Sequence, residues 1–198
     1  MHCPSCLTRL HDSARECQNC GFTLGALDLK FGTVPKTFTH LSDWSSFFTE
    51  QERLSLDKHL TRLEHSFEGL HVAVVTMEVD PRFSPREYLF WMMNRCGFTP
   101  LAARLERCFS FVLFFESNSR TAFLSTGYGL NAAFPEEELS RMLEAAAPHF
   151  KKEQFYRGTT IILRHARRRL RAYCKGEQLR ETLPKAQTSP KVEGESWE

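Results

Sequence analysis

"CFSFVLFFESNSRTAFLSTGYGLN", residues 108–131, is the stretch on which the reading of the fold turns. Up to Phe115 it is a nearly unbroken apolar and aromatic run, as expected of a strand covered on both faces. "SNSR" then supplies turn residues, and "TAFLS" returns as a second strand, closing a hairpin. Gly127-Tyr128-Gly129 follows before the next helical pattern. That turn either presents a ligand site or only redirects the chain.

Working outward, "LHVAVVTMEV" at 70–79 is another β-branched run and predicts a buried strand. Before it, residues 49–69 read as an amphipathic helix. Thr49 and Glu52 have capping-box spacing, Leu56, Leu60, Leu63 and Phe67 form one stripe, and Gly69 is a natural stop. Ser84 and Pro85 open a helix expected to end at Gly97. "PEEELSRMLEAAA" places acids at a helix start and is expected to stop at Pro148. Residues 154–173 read as a long basic helix. The predicted class is α/β, a central sheet covered by helices on both faces.

The chain has 198 residues, 41% apolar and 25% charged, with a formal charge of +2. This composition is globular, and four thiolates around one divalent ion would bring the net charge near zero. Net charge therefore selects no polyanion partner, although a local patch can. No apolar leader segment and no membrane-length run is visible. Seven cysteines, three of them scattered singly, suit a reducing compartment, so the expected location is the cytoplasm.

"CPSC" and "CQNC" place Cys3, Cys6, Cys17 and Cys20 as two CxxC pairs ten residues apart. Two such knuckles make a tetrahedral sulfur cage, so structural zinc is expected. About 24 residues with so few apolar side chains would not fold without it. Gly21 is expected to let the second knuckle curl. The predicted organisation is a zinc ribbon at 1–24, a linker without helix at 25–40, the α/β domain at 41–175 and a disordered tail at 176–198.

The order of elements, with four stretches of sequence, resembles the TPM domain. That family is typified by a thylakoid-lumen acid phosphatase, a photosystem II repair protein and a modulator of nicotinic receptors. The stretches are "DWSSFFTEQE" with Asp43, "LHVAVVTME", "NSRTAFLSTGYGLN" with Arg120, Gly127, Tyr128 and Gly129, and "PHFKKEQFYRG" with Pro148, Phe150 and Gly158. Departures stand beside these matches. Ser46 and Glu153 replace family glycines, Asn131 stands where a glutamate is usual, and the family's Asp-Asn-Gly before the second strand is missing.

The resemblance implies phosphate-ester hydrolysis as one activity. Asp43 would ligate calcium or magnesium, while the Gly127–Tyr128–Gly129 turn and Arg120 would hold an anion. The competing reading gives the glycines to turn geometry, Tyr128 to packing and Arg120 to a local ion pair. No independent catalytic motif nominates a general acid–base pair. Arg164, Arg167, Arg168 and Arg171 form one face of the last helix, with Arg169 to the side and Ile162, Ala166, Leu170 and Tyr173 opposite. That face is either solvated or a polyanion patch. The expected function is a binding or regulatory module with an unidentified protein partner. A metal-assisted phosphatase and a nucleic-acid-associated protein using ribbon and arginine helix are the alternatives, and an anionic surface is a further possible target of the patch.

Overall fold

The computed structural model describes residues 2–11, 14–32, 39–95 and 109–182. Its elements run α1 (Leu24–Phe31), β1 (Leu41–Asp43), α2 (Glu50–His65), β2 (His71–Met77), α3 (Pro85–Arg95), β3 (Ser110–Glu116), β4 (Thr121–Thr126), a 3-10 turn (Tyr128–Leu130), α4 (Glu136–Phe150) and α5 (Phe155–Thr182). One sheet has the order β1-β2-β3-β4. The pairs β1–β2 and β2–β3 are parallel, and β3–β4 is the antiparallel hairpin. Val74 pairs with Leu41 on one side and Leu113 on the other, and Leu113 pairs onward with Leu124.

Alternation divides the two central strands between two cores. Val72, Val74, Phe111, Leu113 and Phe115 face α2, α4 and α5, where Leu56, Leu60, Leu63, Met142, Ala146, Ile162 and Ala166 pack against them. Ala73, Val75, Val112 and Phe114 point the other way onto Leu89 and Met92 of α3. All seven residues of β3 are buried, so an apolar run without polar alternation is what this position requires. The capping box of α2 is present in full: Glu52 N–H donates to Thr49 Oγ1 at 3.3 Å, and Thr49 N–H to Glu52 Oε2 at 2.9 Å.

Four boundaries differ from expectation. Helix α2 ends at His65, with Ser66 as its C-cap, so Phe67 and the expected stop at Gly69 lie beyond it. The stretch expected as a linker contains α1, capped by Thr23, whose Oγ1 accepts the Ala26 N–H at 3.2 Å, and closed by Gly32 at φ 71°. Eight residues are too few for an isolated helix; this one is held by α3. Phe31 lies 5.1–5.2 Å from the rings of Phe83, Tyr88 and Trp91. Asp28 accepts the Trp91 Nε1–H at 3.0 Å and pairs with Arg95, and Lys30 pairs with Glu87 at 2.6 Å. Pro148 does not stop α4, which continues to Phe150. One missing N–H in an exposed last turn is tolerated, and Lys151 N–H still bonds Ala147 O at 3.0 Å. Helix α5 reaches Thr182, so residues 176–182 of the expected tail are helical. The remainder of that tail, residues 33–38 of the expected linker and the expected helix end at Gly97 lie outside the described residues. Among the described residues no helix is long and apolar enough to cross a membrane.

Helices α4 and α5 meet where Gly158 has no side chain to offer. A Cβ there would stand 2.2 Å from Phe150 Cε1 and 2.6 Å from its Cδ1. The Phe150 ring is held edge-on by Phe115 at 5.0 Å and faces Phe155 at 6.3 Å, so it cannot swing away freely. Alanine for glycine in a helix ordinarily stabilises by about 0.5–1 kcal/mol. Here Gly158→Ala is expected to destabilise by about 1–3 kcal/mol in chemical denaturation. Combining it with Phe150→Leu should recover part of the loss in a double-mutant cycle.

Candidate metal centre and the sheet edges

The two CxxC pairs form near-identical knuckles. In the first, Leu7 N–H donates to Cys3 O at 3.0 Å and Cys3 N–H to Thr8 O at 2.9 Å. In the second, Gly21 N–H donates to Cys17 O at 2.8 Å and Cys17 N–H to Phe22 O at 3.0 Å. The fifth residue of each turn has a left-handed backbone: Gly21 at φ 68°, as expected, and Leu7 at φ 63°. The four sulfurs all lie within 4.8 Å of one another. Across the knuckles, Cys3–Cys20 and Cys6–Cys17 are 3.7 and 3.6 Å apart as free thiols. A tetrahedron with metal–sulfur bonds of about 2.3 Å has edges of about 3.8 Å. The residues therefore fit one four-coordinate metal ion, with no position left open for substrate. Burial pushes the Cys3 thiol up, whereas the Thr8 hydroxyl, with Asn19 and the Thr8 N–H, holds Cys6 down to about 5. Metal would bind all four as thiolates.

This front end is fastened to the domain at two points. Phe22 packs edge-on against Phe90 of α3 at 5.6 Å, and His2 Nδ1 meets Glu136 Oε2 at the start of α4 at 2.6 Å.

Asp43, Arg120 and the glycine turn do not converge. Asp43 ends β1 beside Thr76 of β2, and Arg120 lies in the β3–β4 turn, both at the edge where the three parallel strands end. Gly127 N–H donates to Ser110 O at 2.8 Å, at the edge where β3 begins. Five strand positions from Ser110 to Phe115, the partner of Thr76, separate these edges by about 17 Å at 3.3 Å per residue. The Asp43 side chain is 2% exposed, and its oxygens are already engaged. Oδ1 accepts from Phe47 N at 2.9 Å and Thr76 Oγ1 at 2.6 Å, Oδ2 accepts from Phe48 N at 3.2 Å, and Arg53 stands 3.6 Å away. Arg120 is largely exposed, 3.9 Å from Glu153.

At the other edge, Gly127 has φ −69°, and the N–H groups of Leu130 and Asn131 bond the carbonyls of Gly127 and Tyr128. The positive-φ glycines among the described residues are Gly21, Gly32 and Gly69. Neither glycine of this turn is there for a left-handed backbone. The turn drops Leu130, Ala133 and Phe134 into the core. Tyr128 is 48% exposed.

Ser46 and Glu153, where the resemblance expects glycine, have left-handed backbones, φ 55° and 56°. Glu116, not singled out from sequence, is 2% exposed at the end of β3. It accepts from Val79 N at 3.1 Å, Asn118 N at 3.0 Å and both the N–H and hydroxyl of Ser119. Burial pushes its carboxyl up, but the Ser119 hydroxyl and the three N–H donors outweigh it and hold it below the usual range. The available signal was an acid closing an apolar strand directly before "SNS".

On α5, Arg164, Arg167, Arg168 and Arg171 are exposed. Ile162, Ala166 and Leu170 are buried, and Tyr173 packs at the margin of the same core. Arg169 turns aside, its Nε donating to Ala133 O at 2.7 Å.

Left-handed backbone costs a non-glycine residue about 1–2 kcal/mol. Glycine's larger unfolded-state entropy offsets part of that. Ser46→Gly and Glu153→Gly are each expected to stabilise the fold by about 0.5–1 kcal/mol, and Leu7→Gly to slow metal loss to a chelator about two- to fivefold. Glu116→Gln should destabilise at pH 7 by about 1–3 kcal/mol. Because the folded pKa is depressed, the wild-type advantage is full above the ordinary value of 4.5 and is lost as pH falls through the lower folded value. Denaturation midpoints of the two proteins should therefore converge in acid.

A family model for the TPM domain matches residues 41–169. Among solved structures, the solution NMR structure of the N-terminal domain of a protein from P. gingivalis is similar in fold, with a TM-score of 0.50. It shares 19% identity over 67% of this chain and 82% of that one. No curated protein matches the chain. With its mixed four-stranded sheet between helices, and a match extending over more than half its length, the chain belongs to the TPM-domain family.

Proposed function

We propose that this TPM-domain protein is a binding or regulatory module, with a structural zinc ribbon at its front end fastened to the domain and a protein as one class of partner. The observation that carries this reading is the engagement and separation of the candidate ligands. Asp43 is surrounded by protein donors, and the glycine turn lies at the opposite edge of the sheet. Zinc is the metal that four thiolates at tetrahedral spacing favour, and a closed sulfur shell assigns it to folding rather than chemistry. Residues 1–24 are the ribbon, and α1 joins it to the domain beginning near residue 41.

The second reading, a metal-assisted phosphatase holding calcium or magnesium at Asp43, is favoured by family membership alone. Purified protein is expected to contain one zinc per chain, to lose helical signal when stripped by chelator, and to show no turnover of an aryl phosphate with added magnesium or calcium. Turnover abolished in Asp43→Asn, with zinc content and circular dichroism unchanged, would establish the phosphatase instead. Asn is the substitution of choice because it keeps the shape and one acceptor oxygen, enough for Phe47 and Thr76, whereas Asp43→Ala would remove the acceptors of Phe47, Phe48 and Thr76 together.

A further inference from the structure

The exposed side of α5 carries more positive charge than the fold uses. Between residues 155 and 176 there are seven arginines and lysines and no aspartate or glutamate. One of the seven, Arg169, is tied to the segment before α4 through the Ala133 carbonyl. The other six, Arg157, Arg164, Arg167, Arg168, Arg171 and Lys175, are all exposed. At about 100° per residue they fall within an arc of about 100°, and at 1.5 Å rise they extend over about 27 Å. Arg157 and Lys175 continue at both ends the stripe that the sequence showed only at its centre. None of the six makes an ion pair within the described residues. Glu68 is the one acid lining the shallow hollow beside Arg171 and Lys175, and it pairs with neither. Compensating like charges at a helix end by the macrodipole is worth only about 0.3–1 kcal/mol within the last turn, and most of this stripe lies outside it.

Three features select the partner's chemistry. Five of the six cations are arginine, whose planar fork matches phosphate oxygens in a bidentate way that lysine does not. Ile162, Leu163 and Leu170 of α5 are buried in the core, and none of the exposed large hydrophobics of the described residues lies on this helix. The stripe therefore lacks the inserting residues of a membrane-surface helix and the aromatic anchors of a protein interface. It lacks equally the aromatic platforms that hold unpaired bases. What remains is a row of exposed cations at helical spacing, mostly arginine, of the kind that suits phosphate oxygens.

We propose that the arginine face of α5 binds the phosphate backbone of a nucleic-acid duplex without sequence selection. The face is expected to contact phosphates rather than to select a sequence, because residues 155–176 offer no asparagine, glutamine, aspartate or glutamate to read adenine or cytosine edges beside the arginines. The module proposed above thus acquires a second partner class, through a surface distinct from the cysteine cage.

The test uses full-length, zinc-loaded protein and fluorescence anisotropy with labelled 20-base-pair DNA and RNA duplexes across a salt series. Engagement of about four phosphates gives a slope of log K against log salt near −3.6. Replacing Arg164, Arg167, Arg168 and Arg171 by Gln should weaken binding at least about tenfold and flatten the slope by about one per residue. Zinc content and thermal midpoint should be unchanged, since these side chains have no ion-pair partners among the described residues. The corresponding Arg→Lys variant should keep most of the slope. Preference between the two duplexes identifies the source of the phosphates, and either preference supports the proposal. Failure to bind both duplexes at 50 mM salt overturns it. So does displacement of duplex by polyglutamate at equal charge concentration, which indicates an acidic protein, or binding confined to vesicles of phosphatidylserine and phosphatidylcholine. Zinc content measured on the same preparations separates failure of this proposal from failure of the ribbon reading.

Discussion

A strand buried on both faces can exist only inside a layered domain, and β3 imposes that constraint here. Its seven residues alternate between two cores, so each face of the sheet must be covered. Backbone pairing to β2 and β4 satisfies its amides on both sides, as burial demands. Helices α2, α4 and α5 on one face and α3 on the other follow from that requirement. The aromatic contacts of Phe47, Phe115, Phe150 and Phe155 then fix how the connection between α4 and α5 meets the sheet. The polar counterpart is the pair of carboxylates ending β1 and β3. Asp43 and Glu116 gather the loop N–H groups where strands give way to turns.

The front end is organised by a different force. Its apolar content is too small for a core of its own, and a metal ion held by the four cysteines would substitute for burial. Yet it does not dangle. Phe22, α1 and the ion pairs of Asp28 and Lys30 join it to α3, a helix already committed to the second core. Arg95 beside Asp28 holds that carboxyl below its usual range, so the link is ionic through the neutral pH range. Metal bound by the four cysteines would thereby be connected, through α1 and α3, to the packing of one sheet face.

At two positions where the resemblance expects glycine, this chain keeps a left-handed backbone without it. Ser46 and Glu153 replace glycine and still adopt positive φ, whereas Gly158 is required for the close approach of Phe150 rather than for its dihedral angles. Loss of a glycine is therefore not by itself loss of a site. The separation of Asp43 from the Gly127–Gly129 turn carries more weight, because a ligand needing both would have to bridge the length of the sheet.

Much of this was legible from residues alone: the two buried strands, the hairpin, the capping box of α2, the cysteine cage and the arginine face all follow local periodicity or fixed spacing. Those signals arise from covalent neighbours and repeat geometry, which tertiary structure does not alter. Three things were decided only in three dimensions. Helix α1 forms because α3 holds it, and eight residues with Gly25 inside them and Gly32 directly after carry no sign of that support. Asp43 and Glu116 became internal ties because strand register put loop amides around them. The glycine turn went to the far edge because β4 runs antiparallel, and strand direction is set by pairing partners distant in the chain.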